Sequence, residues 1–271
     1  MKTRIISAMV GLVILVAVLC LFETAVLDVA VAALSVMAVY EMINAVGLSK
    51  KKAFTGFCAV FAAFFSSAYY QTFSSVSGFV EFIFAILVLI FVLTDHKEIK
   101  VEYAAFAFFF TIIIPRAFST IILFRNYGEP VSYFLVMMSL AVAWLNDTCA
   151  YFSGYFFGKR KLCPEISPKK TVEGAIGGVF GDVVVCAILA FVFSSVTGYS
   201  INWFSFVIFV PIGAVAAILG DLCASIIKRQ FGVKDYGNIM PGHGGIMDRF
   251  DSVIVTAPLI YYGAMLLLHL Q

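Results

Sequence analysis

Three aspartates late in the chain, Asp221, Asp248 and Asp251, have the types and spacing that could do chemistry. Asp221, Ser225 and Lys228 follow i, i+4, i+7 and share one face of a helix at about 3.6 residues per turn. Asp248 and Asp251, at i and i+3, share a face in the same way. Between the two sets lies Pro241-Gly242-His243-Gly244-Gly245, a segment that can bend tightly. The spacing predicts that this loop folds back, so that the three carboxylates converge among Lys228, Arg229, Lys234 and Arg249. Carboxylates surrounded by cations suit Mg²⁺ and phosphate chemistry. Mg²⁺ takes oxygen ligands, commonly one or two carboxylates plus substrate phosphates, and basic side chains neutralise the remaining phosphate charge. The competing reading is that Asp221 and Asp251 are ion-paired helix ends. That suits a lone acid, and it fits poorly with three acids around Gly-His-Gly-Gly.

A second cluster lies upstream. Asp147, Tyr151, Gly154 and Gly158 follow i, i+4, i+7, i+11 and share a face. Lys159, Arg160, Lys161, Lys169 and Lys170 then place five cations within twelve positions. Membrane anchoring explains the first three. It does not explain Ser167-Pro168-Lys169-Lys170-Thr171 followed by Glu173 and glycines, which suits contact with phosphate or nucleotide. Thr171 with Gly174 three residues on also reads as a simple helix N-cap.

The elements that must position these residues are membrane helices. Of 271 residues, 62% are hydrophobic and 13% charged, against about 25% charged in soluble domains. The apolar residues run in nine segments, approximately 5–22, 24–46, 53–70, 78–94, 103–124, 131–157, 174–197, 201–227 and 252–270. A bilayer core about 30 Å thick needs about 20 such residues as a helix, and lipid leaves backbone groups no partner outside the segment. A β-barrel would alternate and turn about every ten residues, and this chain does not. The expected fold is therefore an all-α polytopic membrane protein of about nine transmembrane helices. Residues 1–130 would be scaffold, and residues 131–271 would carry the chemistry. Ile5–Phe22 is longer than a signal-peptide core and lacks a small-x-small cleavage site, so it reads as a retained span.

Charge orients the helices. With the N-terminus inside, sixteen of the eighteen Lys and Arg fall in inside segments, which include both polar clusters. Nine spans then put the C-terminus outside. The six cysteines form no CxxC pair, and five lie in apolar runs, which argues against a disulfide framework or a zinc site. Gly174, Gly177, Gly178 and Gly181 read as a close helix-packing face. Asp28, Glu41, Glu81 and Asp182 are acids within spans, either functional or paired inside the bundle. Arg116, beside Pro115 in a span, is a candidate for a lipid phosphate.

Ser225-x-x-Lys228-Arg229, Lys234-Asp235-x-Gly237 and Pro241-x-His243-Gly244-Gly245-x-x-Asp248-Arg249-x-Asp251 together resemble the signature of the phosphatidate cytidylyltransferase (CDP-diacylglycerol synthase) family. Asn146-Asp147-Thr-Cys-Ala150-Tyr151-Phe-Ser-Gly154 and Ile166-Ser167-Pro168-Lys169-Lys170-Thr171-x-Glu173-Gly174 are similar to that family as well. The motifs cover the C-terminal half; the N-terminal half matches in its span pattern only. The resemblance implies a nucleotidyltransferase of phospholipid biosynthesis that turns CTP and phosphatidic acid into CDP-diacylglycerol and pyrophosphate. It would be a multi-pass protein of the cytoplasmic (inner) membrane, with no nucleic acid among its partners and with a homodimer left open. On that basis Asp221, Asp248 and Asp251 are assigned to Mg²⁺, with room for a second cation. Lys228, Arg229, Lys234 and Arg249 are assigned to phosphates, and His243 to phosphate contact. Asn146, Asp147, Lys169, Lys170 and Thr171 are assigned to CTP, and Ser225 and Arg116 to substrate. Two rivals remain: a cytidylyltransferase for another lipid phosphate, and an ion-coupled transporter using Asp28, Glu41 and Asp182. A transporter should show paired broken spans in corresponding halves, whereas the polar groups here gather in the last two long inside loops.

Overall fold

The computed structural model describes residues 2–67, 71–242 and 244–267. Among the described residues, six helices are long and apolar enough to cross a bilayer, and three shorter apolar helices accompany them at Ile6–Cys20, Lys52–Ser66 and Val253–Ala264. The protein is a multi-pass, all-α membrane protein. The chain divides into two compact units, Met1–Leu123 with Gln230–Arg249 and Phe124–Arg229 with Phe250–Gln271. The loop bearing Lys234 and Asp248 thus packs with the N-terminal helices, although in sequence it follows the C-terminal ones.

The first unit contains α1 (Lys2–Cys20), α2 (Ala25–Ala45), α3 (Lys52–Ser66), α4 (Gln71–Thr94) and α5 (Val101–Leu123). Thr24 caps α2, its hydroxyl accepting the Val26 N–H. Gly47 ends α2 with a positive φ that a side chain would disfavour. Helices α3, α4 and α5 meet through phenylalanines: Phe61 stacks on Phe84, which stacks on Phe108. Hydrocarbon chains outside are as apolar as these rings, so packing rather than hydrophobic burial holds such contacts. Arg116 in α5 is ion-paired with Glu81 in α4. The pair keeps two charges in the bundle satisfied and gives Arg116 a partner other than a lipid phosphate.

The second unit contains α6 (Val131–Phe157), a hairpin of β1 (Lys161–Cys163) and β2 (Ser167–Thr171), then α7 (Val172–Thr197), α8 (Trp203–Gln230) and α10 (Val253–Leu267). The four-residue α9 (Met247–Phe250) leads into α10. The expected glycine face is real. A Cβ on Gly174 would lie 2.8 Å from the Ala150 carbonyl oxygen, and one on Gly178 would lie 3.0 Å from both Ala150 Cβ and Asn146 Oδ1. Helices α6 and α7 therefore pack backbone to backbone, as small residues allow. One short hairpin interrupts the helices: Lys161 pairs with Thr171 and Cys163 with Ser167 in an antiparallel ladder. Its cause is local. Thr171 adopts an extended conformation as the N-cap of α7, accepting the Gly174 N–H at 3.1 Å, so the residues before it arrive extended. Glu173 in the first turn accepts the N–H groups of Lys159 and Arg160 and ties the start of the hairpin to α7.

Candidate active site

In the second unit, α6, β2 and α7 enclose a cavity of about 400 Å³, lined among others by Asn146, Asp147, Lys169, Lys170 and Thr171. Its size is within the range of small-molecule sites, about 300–1,000 Å³. Successive strand residues point to opposite faces, yet at this short strand's end both lysines reach the cavity wall. Lys170 also forms an ion pair with Asp221 on α8. Both side chains are mostly buried, 25% and 21% exposed. Lys170 therefore links the cavity to the carboxylates.

Asp251 follows α9 and is buried. Burial, and next the charge of Asp221, push its carboxyl up to about 7; the Ser252 N–H and the Lys228 ammonium act against them. Two carboxylates close enough to repel, one of them buried, form a donor set that a divalent cation fits, since its charge would favour both ionised forms. Ser252 N–H donates to Asp251 Oδ1 at 2.7 Å, and Ser252 Oγ donates to the Ala217 carbonyl at 3.2 Å, fixing this corner to α8. Gly220 is needed there, because a Cβ would sit 2.9 Å from the Asp251 carbonyl oxygen.

The remaining residues of this unit are placed more loosely. Ser225 lies one turn beyond Asp221 on α8, half-buried. Arg229 is exposed and donates from Nε to the Ile166 carbonyl. Asn146 is buried, and its amide donates to Asp182 Oδ2 at 2.9 Å and to the Ala214 carbonyl at 3.2 Å. Asp182 is thus a partner of Asn146 inside the bundle. An apolar groove of about 570 Å³ between α7 and α8 shares Leu162, Ala175 and Ile218 with the cavity.

In the first unit, Asp248 Oδ2 accepts the N–H groups of Tyr236 at 2.8 Å and Gly245 at 3.0 Å. The carboxylate thereby closes the signature loop on itself. Gly242 and Gly244 have φ of 79° and 88°, the left-handed region that explains glycine at both turns. Lys234 and Arg249 are exposed. His243 lies outside the described residues. Among the described residues no three His, Cys, Asp or Glu side chains form one cluster suited to a metal. Of the three expected carboxylates, Asp221 and Asp251 come together within one unit, and Asp248 serves the loop of the other. Sequence reasoning left Glu41 undecided, yet its carboxylate accepts the Ile246 N–H at 3.0 Å and the Met247 N–H at 2.8 Å.

The pattern of the cytidylyltransferase family matches residues 2–267. This chain belongs to that family. It is 33% identical to a phosphatidate cytidylyltransferase of Thermotoga maritima, over 96% of this chain and 95% of that one. It is 38% identical to a Bacillus subtilis protein of the same name, over 66% of this chain and 65% of that one. A third, from Rickettsia bellii, is 35% identical over 67% of this chain and 78% of its own length. As a cytidylyltransferase, the protein needs a site for a nucleoside triphosphate, and the Lys169–Lys170 cavity has the charge and size for one.

Proposed function

We propose that the protein is a CTP:phosphatidate cytidylyltransferase whose reaction centre lies where the Lys169–Lys170 cavity meets Asp221 and Asp251. The observation that carries this reading is Lys170, which lines the cavity and pairs with Asp221. A phosphate oxygen of phosphatidate forms a bond to the α-phosphorus of CTP, and the bond from that phosphorus to the β-phosphate bridging oxygen breaks. CDP-diacylglycerol and pyrophosphate result. The nucleophile is already anionic near neutral pH, so the site needs charge screening and alignment more than a strong base. Lys169 and Lys170 offset the triphosphate charge. Lys228 and Arg229, at the end of α8, serve the phosphates, the role that the family resemblance gives Lys234 and Arg249 too. Asp147 is exposed on the cavity wall, and Asn146 lies behind it, held by Asp182.

Asp221 and Asp251 are the residues that would hold Mg²⁺; the family resemblance assigns Asp248, oriented by its own loop, to the cation as well. The cation would supply charge stabilisation at the phosphoryl oxygens. The groove between α7 and α8 suits acyl chains, being apolar and sharing Leu162, Ala175 and Ile218 with the cavity wall. CTP is a cytosolic solute and phosphatidate a bilayer lipid, so the site belongs at the cytoplasmic face of the inner membrane. The test is purified protein with labelled CTP and a panel of lipid phosphates. Label should enter CDP-diacylglycerol with phosphatidate and Mg²⁺, and diacylglycerol should not replace phosphatidate. Transfer to a non-glyceride lipid phosphate alone would overturn the substrate assignment.

A further inference from the structure

Glu41 lies near the end of α2, in the half of the chain that carries no motif, and it is 1% exposed. Burying a carboxylate is costly unless hydrogen bonds meet it. Here they do: one oxygen accepts Ile246 N–H at 3.0 Å and the other Met247 N–H at 2.8 Å. These amides sit immediately before Asp248 and Arg249. The contact is tight on the other side as well. A Cβ on Gly237 or on Gly245 would overlap the Glu41 carboxylate. Two signature glycines thus leave room for one side chain from a distant helix, some two hundred residues away in sequence.

We infer that Glu41 is a positioning residue: it pins Ile246 and Met247 so that Asp248 and Arg249, which follow them directly, are presented in one orientation. Asp248 closes the loop from inside through Tyr236 and Gly245, and Glu41 anchors it from α2. The two carboxylates divide four backbone N–H groups between them and so fix the loop at both ends. An amide at position 41 would set its NH₂ against one of the two donors, and an Ala would leave both without an acceptor. This inference rests on the reading of Asp248 as part of the Mg²⁺ centre.

The test uses the full-length protein in detergent with E41Q, and G237A and G245A as variants that crowd the same carboxylate while leaving Glu41 in place. Hydrogen exchange is followed in peptides covering 236–250 and in peptides of α2, α3 and α5, and initial rates are taken across a Mg²⁺ titration. Exchange should accelerate in 236–250 alone. The Mg²⁺ concentration at half-maximal rate should rise about tenfold, the equivalent of about 1.4 kcal/mol, with partial recovery of rate at high Mg²⁺. Unchanged exchange in 236–250 would overturn the inference. So would equal acceleration across all four regions with a rate loss that Mg²⁺ does not recover, because that is a fold effect. A wild-type protein whose rate ignores Mg²⁺ would refute the metal reading instead, and the exchange data alone would then decide whether Glu41 holds the loop.

Discussion

Replacing Lys170 with Met removes one charge at the point where the cavity and the carboxylates join. In the structure its ammonium is ion-paired with Asp221 and its side chain lines the cavity. The variant loses that pair and also any contact with a phosphate in the cavity. A hydrogen bond to a charged group contributes about 1.5–3 kcal/mol, which corresponds to a loss of about 10- to 150-fold in kcat/KM for CTP. The pair is mostly buried, so its loss leaves Asp221 without its cation beside Asp251 and should lower the thermal midpoint as well. The protein should still elute as a folded, monodisperse species, which separates the rate loss from unfolding. The assay is the initial rate over a CTP series at saturating phosphatidate, with thermal midpoint and size-exclusion profile measured in parallel. Lys170→Arg should recover part of the rate, because it keeps the charge. Lys169→Met should cost less, because Lys169 is exposed while Lys170 is half-buried against Asp221. A Lys170→Met rate within threefold of wild type would refute the role of Lys170 at the triphosphate.

Other outcomes follow from the same geometry. Gly178→Val should push α6 from α7 at the cost of about 1–3 kcal/mol of stability, seen as a lower thermal midpoint, because its Cβ would already sit 3.0 Å from Ala150. Gly78→Ala, with nothing near its Cβ, should leave the midpoint unchanged or raise it. Asp182→Leu should lower activity more than Asp182→Asn, read as initial rate, because the isostere can still hold the Asn146 amide. Cys163, in the basic hairpin, should react with a membrane-impermeant thiol reagent in inside-out vesicles and not from outside intact cells.

The sequence exposed what depends on local pattern. Apolar runs marked the helices, the glycines at 174, 177, 178 and 181 marked a packing face, and Thr171 marked the start of α7. The pairing of Asp221 with Asp251 was legible in part, because motif spacing put each at a helix end beside the same loop. Long-range choices were not legible. Nothing near Glu41 in sequence reveals that its partners are the amides of Ile246 and Met247, since backbone donors leave no mark in the side-chain alphabet. The room for it is marked only at Gly237 and Gly245, where glycine also reads as a simple turn residue. Likewise Arg116 read as a contact for a lipid phosphate and Asp182 stayed undecided, because nothing local names Glu81 and Asn146 as their partners. The hairpin escaped notice because five cations in twelve residues suggest a solvated loop, and its register rests on backbone pairing.

The central claim is that Asp221 and Asp251 hold the cation that cytidylyl transfer uses. The most direct measurement is the initial rate of Asp251→Asn across a Mg²⁺ titration, alongside its size-exclusion profile. Asn keeps the shape and removes the charge. The account predicts a monodisperse, folded protein whose rate falls by orders of magnitude, with each about 1.4 kcal/mol of lost transition-state stabilisation costing tenfold. A near-normal rate at low Mg²⁺ would contradict it.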